Sequence, residues 1–247
     1  MKIVLLDTLT FGESDLSAFH VFGEVESYET TSKEQSLERI TNATVIVTNK
    51  VVITDEHMAK SPKLKLICVA ATGMNNVDLQ AAKQRGIEVK NVSGYSSDSV
   101  IQHTFSMLFY LIGHSRYYDN YVKNGSYAKS PIFTDVSHPF FEIKGKRWGI
   151  IGLGEIGRSV AKLAEAFGAE VCYCSTSGQN STQEYVRLEL DTLLKTSDII
   201  SIHAPLNEKT RNLLGYEQLF SCKDGAVVLN LGRGGIVDEE AVARIID

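Results

Sequence analysis

The stretch Arg147-Trp148-Gly149-Ile150-Ile151-Gly152-Leu153-Gly154-Glu155-Ile156-Gly157 holds three glycines in the spacing G-x-G-x-x-G. The apolar run into Gly152 reads as a short buried strand. Residues 155–167 then place Ile156, Val160, Leu163, Ala164 and Phe167 on one face at helical spacing, so the glycines fall on a strand-to-helix turn. In that setting Gly152 permits the tight turn, Gly154 lets the backbone approach a pyrophosphate, and Gly157 lets helix and strand pack closely. The leading amides and positive dipole end of the helix favour the diphosphate. The spacing alone also fits a turn that merely needs glycine; the strand before it and the helix after it favour a dinucleotide site. About 20 positions on, where an acidic residue grips the adenosine ribose of NAD, stand Ser175, Thr176 and Ser177. Loss of the acid removes repulsion toward a 2′-phosphate, yet no Arg or Lys adjoins Ser175 in sequence to attract one. NAD with NADP tolerated is therefore expected.

These residues need a scaffold, and the chain reads as one. Apolar runs at 3–6, 45–47, 66–70 and 89–92 predict strands, and patterned segments at 34–40, 55–60 and 77–84 predict helices between them, with Asp78 as a cap. Such alternation predicts a parallel sheet covered on both faces, and residues 1–98 form a first α/β domain. Residues 99–118 predict a long helix leaving it. Residues 121–142, rich in aromatics and carrying Pro131 and Pro139, predict irregular structure; the arm 117–141 fits a subunit contact and a loop covering the core equally well. Beyond the glycine turn, strands are predicted at 148–151, 171–174, 199–202 and 226–229, with helices at 188–195, 216–221 and from Asp238 onward. Residues 99–247 thus form a second α/β domain with four of the six strands of a doubly wound sheet.

Composition narrows the partners. With 43% hydrophobic and 22% charged residues the chain is ordinary for a globular protein. A net charge of −5, without clustered Lys and Arg, argues against nucleic acid. No signal peptide or bilayer-spanning run is present, so no membrane partner and a cytoplasmic location are expected. Cys68, Cys172, Cys174 and Cys222 lack C-x-x-C spacing and read as buried small hydrophobes in preference to a metal or redox site, so no metal is expected.

Several further segments carry a resemblance: Thr48-Asn49-Lys50, Ala71-Thr72-Gly73-Met74-Asn75-Asn76-Val77-Asp78, Gly94-Tyr95-Ser96, Gln102-His103-Thr104, His203-Ala204-Pro205-Leu206 and Asn230-Leu231-Gly232-Arg233-Gly234-Gly235. With the glycine fingerprint they resemble the D-2-hydroxyacid dehydrogenases over the whole chain, most closely the glycerate dehydrogenase and hydroxypyruvate reductase branch. The resemblance implies an α/β fold of two doubly wound parallel-sheet domains, a flavodoxin-like substrate domain and a Rossmann NAD-binding domain, the second incomplete at its C-terminal end. It implies hydride transfer between NAD(P)H and a small 2-oxo acid such as hydroxypyruvate or glyoxylate, and a homodimer. Arg233 matches the substrate arginine: a planar guanidinium can hold the adjacent carboxylate and carbonyl of a 2-oxo acid and polarise the carbonyl. Thr72, Gly73 and Met74 match a carboxylate-binding loop, with Lys50 on a neighbouring loop. Glu155 and Ile156 fall at the diphosphate, His203 and Pro205 beside the adenosine half with Thr210 nearby, Ser99 on the nicotinamide side, and Leu231 and Gly232 complete the cofactor set. No cluster of basic residues favours a phosphorylated substrate.

The general acid/base histidine of that family and the glutamate that raises its basicity lie beyond the Arg233 motif, and neither is matched before Asp247. A truncated, inactive chain is one expectation; a non-catalytic module that senses nicotinamide redox state is the competing one.

Overall fold

The computed structural model describes residues 1–179 and 184–246. The chain divides into two compact units, Met1–Ser96 and Ser97–Asp247.

The first unit holds strands β1 (Lys2–Leu5), β2 (Glu24–Ser27), β3 (Val45–Thr48), β4 (Leu66–Val69) and β5 (Glu88–Asn91), interleaved with helices α1 (Lys33–Ile40), α2 (Asp55–Lys60) and α3 (Leu79–Gln84). The sheet runs β2-β1-β3-β4-β5, and all its pairings are parallel. Period-two alternation sends neighbouring side chains to opposite layers. Val4, Leu6, Ile46 and Ile67 enter one core, and Ile3, Leu5, Val45 and Val47 enter the other. Buried on both faces, such strands read as continuous apolar runs, which is why they were legible. β2, with the sequence EVES and both ends exposed, was not expected. As an edge strand it is defined by pairing with β1, and its own pattern is too polar to announce it. α1 opens on a capping box between Ser32 and Gln35, and α3 starts after Asp78, whose carboxylate accepts from the Ala81 amide at 2.9 Å.

The second unit begins with α4 (Ser97–Ile112), followed by α5 (Ser115–Lys123) and α6 (Ser126–Lys129). The single helix expected over 99–118 is therefore two. It breaks at Gly113 and at His114, whose φ of 47° is left-handed. The region expected to be irregular is helical in its first part. Strands β6 (Arg147–Ile151), β7 (Glu170–Cys174), β8 (Val186–Arg187), β9 (Ile199–Ile202) and β10 (Val227–Asn230) alternate with α7 (Glu155–Ala166), α8 (Leu190–Thr196), α9 (Tyr216–Phe220) and α10 (Glu239–Ile246). The sheet has five strands where four were expected, in the order β10-β9-β6-β7-β8, and every pairing is parallel. The unexpected member, β8, is two exposed residues paired to β7. Counted from β6 and read from β8, the order is 3-2-1-4-5, that of a doubly wound dinucleotide fold.

Candidate functional site

In the second unit β6 lies between β7 and β9, so the chain leaves β6 toward one edge of the sheet and returns on the other side. This reversal opens a crevice at the carboxyl ends of the strands. The β6–α7 turn occupies it. Gly152 has φ +94°, and a Cβ there would stand 3.0 Å from the backbone of His203 and Ala204. A Cβ on Gly157 would come 2.3 Å from the Gly152 carbonyl oxygen, so only glycine lets α7 start this close to its strand. Gly154 is different: nothing lies within 4 Å of its missing Cβ. It is the N-cap of α7 and offers no side chain to the leading amides, while Glu155 in the first turn is exposed and Ile156 packs against the core. Bare amides, a helix of 12 residues and an open cradle fit a dinucleotide diphosphate.

Beside the turn, His203 follows β9. Its Nε2 lies 3.0 Å from Ser201 Oγ, and burial pushes its pKa down to about 4. Pro205 and Thr210 belong to the loop after it. The fully buried Thr210 hydroxyl donates to the Pro205 carbonyl at 2.6 Å and accepts from the Asn207 amide at 2.8 Å. Thr210 therefore shapes this loop from within.

A cavity of about 760 Å³ at the end of β10 is lined by Ser99, Val100, His103 and Met107 of α4 and by residues 230–234. It gathers Ser99, Leu231, Gly232 and Arg233. The exposed Arg233 guanidinium donates to the Gly232 carbonyl at 3.0 Å. Asn230, absent from the expected site, braces this loop: its Nδ2 donates to the Arg233 carbonyl at 2.9 Å and its Oδ1 accepts from the Gly232 amide at 3.1 Å. His103 belongs to the Gln102-His103-Thr104 segment that carries the resemblance, whereas Met107 was not selected; helical spacing from Ser99 (i, i+4, i+8) would have found it.

Just after β7 the Ser175 hydroxyl is buried without a hydrogen-bond partner among the described residues, and Thr176 is half-buried. Strand pairing brings one cation toward this end of β7: register sets exposed Arg187 of β8 opposite Tyr173, two residues before Ser175. Burial, and then the Glu189 carboxylate, raise the Cys174 thiol pKa, while the Arg187 charge acts to lower it.

In the first unit the corresponding sheet edge carries Lys50 after β3 and residues 72–74 after β4. The buried Asp7 carboxylate accepts from the amides of Asn49 at 2.9 Å, Lys50 at 2.5 Å and Val51 at 3.3 Å, fixing a loop from which exposed Lys50 projects. Thr72 is tied to the next strand: its hydroxyl donates to the Val92 carbonyl at 3.1 Å, and Asn91 Nδ2 donates to its carbonyl at 2.7 Å. Gly73 is half-buried, and Met74 packs against the core.

Residues 105–247 match the NAD-binding domain of the D-isomer specific 2-hydroxyacid dehydrogenases. The chain is 37% identical over 246 residues to the glycerate dehydrogenase of Methylorubrum extorquens, covering 99% of this chain and 76% of that protein. Among solved structures it is similar to the D-lactate dehydrogenase of Aquifex aeolicus complexed with NAD and lactic acid (27% identity, TM-score 0.88, 100% of this chain and 73% of that one). It is also similar to an acyclic imino acid reductase in complex with NADPH and D-arginine (28% identity, TM-score 0.89, 99% and 78%).

Proposed function

Because the chain belongs to the D-isomer-specific 2-hydroxyacid dehydrogenases, oxidoreductases that use NAD(P) and act on CH–OH donors, we propose a role for each part of its site. The second unit holds the dinucleotide. Gly152, Gly154 and Gly157 with Glu155 and Ile156 receive the diphosphate on the α7 amides; Ser175 and Thr176 meet the adenosine ribose; His203 and Pro205 border that half, with Thr210 holding their loop. Ser99, Leu231 and Gly232 serve the nicotinamide half. When bound, the nicotinamide would supply or accept the hydride exchanged at C2 of the acid, the proton on the C2 oxygen passing from or to water. Arg233 is the catalytic residue: its guanidinium holds carboxylate and carbonyl together, and its charge stabilises the negative charge that develops on the carbonyl oxygen. In the first unit the 72–74 amides and Lys50 bind the carboxylate of the acid. NAD is used with NADP tolerated, a choice supported by the neutral Ser175 and by Arg187, which pairs with Tyr173 on the same strand end.

The observation that carries this reading is the Arg233 cavity, which opens on the same sheet edge as the glycine cradle. Relatives acting on glycerate favour hydroxypyruvate, with glyoxylate next, as the 2-oxo acid. Absorbance of NADH and NADPH is followed with each acid present. Oxidation of NADH by hydroxypyruvate is expected, and binding of neither cofactor sinks the proposal. A second reading, a dinucleotide-binding module without turnover, is favoured by one observation. Among the described residues lining the Arg233 cavity there is one imidazole, His103, and no carboxylate to raise its basicity. Binding without oxidation would select it.

We also propose a cytoplasmic homodimer. The four unpaired cysteines support a reducing compartment, and no described helix is long and apolar enough to cross a membrane. Exposed Val122, Ile132, Phe133 and Phe140 on the 117–141 arm support a subunit contact there. Light scattering on the eluting protein reads the mass.

A further inference from the structure

A serine in the middle of a buried parallel strand is unusual, because its hydroxyl must find partners inside the core. Ser201, third residue of the run Ile-Ile-Ser-Ile in β9, is fully buried. Its Oγ has two neighbours: the Nε1 of fully buried Trp148 on adjacent β6, at 2.9 Å, and Nε2 of His203, at 3.0 Å. Nδ1 of His203 is buried and has no partner among the described residues.

The donor inventory decides how this triplet is protonated. Indole N–H only donates, so Ser201 Oγ accepts from Trp148. If His203 carried its proton on Nε2, Ser201 would accept twice. Its own hydroxyl proton and the bare Nδ1 would then both stand buried and unpaired. With the proton on Nδ1, the hydroxyl donates to Nε2 and a single orphan remains, the Nδ1–H. Burial of unpaired polar groups is costly, so the second arrangement prevails.

We propose that Ser201, oriented by Trp148, is a positioning residue that holds His203 as the neutral Nδ1–H tautomer, so that the ring offers the bound dinucleotide a hydrogen-bond donor and never an acceptor. This rests on the dinucleotide reading of the crevice. It assigns Ser201 and Trp148 a part in cofactor recognition although both lie inside the sheet. The serine is otherwise unexplained in a strand where the neighbouring Ile199, Ile200 and Ile202 are completely apolar and buried.

The test is imidazole nitrogen NMR on histidine-labelled protein near neutral pH, with His203 assigned from the His203→Gln spectrum. A protonated Nδ1 and bare Nε2 are expected in the wild type; the reverse overturns the proposal. Ser201→Ala should move most of the population to Nε2–H and weaken NADH binding about fivefold, whereas Ser201→Thr, which keeps the hydroxyl, should retain tautomer and affinity. An unchanged tautomer in Ser201→Ala overturns it. Should that variant fail to fold, the wild-type tautomer and Ser201→Thr still decide. NADH is then titrated into the wild type with binding followed by quenching of Trp148, the one tryptophan of the chain. A shift of the Nδ1–H resonance at saturation supports the donor role. Bound NADH with an unmoved resonance overturns that role alone. No binding of NADH or NADPH overturns the dinucleotide reading and the donor role with it, leaving the tautomer lock as a property of the strand.

Discussion

At the scale of single residues, Arg233 and Arg187 carry separable jobs. Arg233 is exposed in its cavity with its guanidinium turned to the Gly232 carbonyl, a weak partner that a carboxylate can displace. Replacing it with Gln removes the charge and the bidentate fork. On the proposed mechanism kcat/KM for hydroxypyruvate falls at least tenfold, while the Kd for NADH measured without the acid stays within about twofold. Equal losses in both would remove Arg233 from the substrate side. Arg187 is an exposed residue on an edge strand. Arg187→Glu should weaken NADPH about fivefold and leave NADH nearly unchanged, the size expected of a solvent-screened ion contact; equal effects on the two cofactors would count against it. The sequence displayed both arginines, but it tied only Arg233 to a site. Arg187 stands twelve positions beyond Ser175 in sequence, and only strand pairing sets it opposite Tyr173 of β7.

At the scale of the element, the β6–α7 turn separates binding from stability. Gly154 has an ordinary φ of −80° and open space where a Cβ would go. Gly154→Ala should keep its melting temperature and lose about tenfold in NADH affinity, because the methyl fills the cradle. Gly157→Ala drives a Cβ against the Gly152 carbonyl, so it should lose affinity and also about 1–3 kcal/mol of stability, as overpacking does. Parallel denaturant melts and cofactor titrations check the pair. Matching stability losses in both variants would mean the turn is packing alone. Elements of this kind were legible because their signals are local: buried strands are continuous apolar runs, and caps such as Asp78 precede their helices. β2 and β8 escaped because they are short, polar edge strands made by their neighbours. The break at Gly113 and His114 escaped because a single glycine inside a helical pattern is tolerated and a left-handed residue other than glycine adds no further mark.

For the whole molecule, buried imidazoles tie folding to pH. His203 titrates near 4 when folded, against an ordinary value of 6.5. The unfolded chain therefore binds its proton first as pH falls. The stabilisation from keeping this ring neutral is complete above about pH 6.5, declines as pH drops below that, and is gone below about 4. Its size is at most about 3 kcal/mol. His57, its pKa lowered by burial between Ser36 and Thr54, acts in the same direction. Thermal melts from pH 7 to 4 should show a steep loss in the wild type and a shallower one in His203→Gln; parallel curves would refute the assignment. By itself the sequence determined the alternating α/β architecture, the glycine turn and the family-specific loops, since each depends on a few consecutive residues meeting local demands of backbone and burial. Tertiary structure decided what adjacency alone decides: the 3-2-1-4-5 strand order that opens a crevice, the cavity gathered from α4 and the β10 loop, the pairing of Arg187 with Tyr173, and the link from Trp148 through Ser201 to His203. Hydrogen bonds and burial act between atoms near in space, and residues dozens of positions apart become neighbours only when the sheet is built.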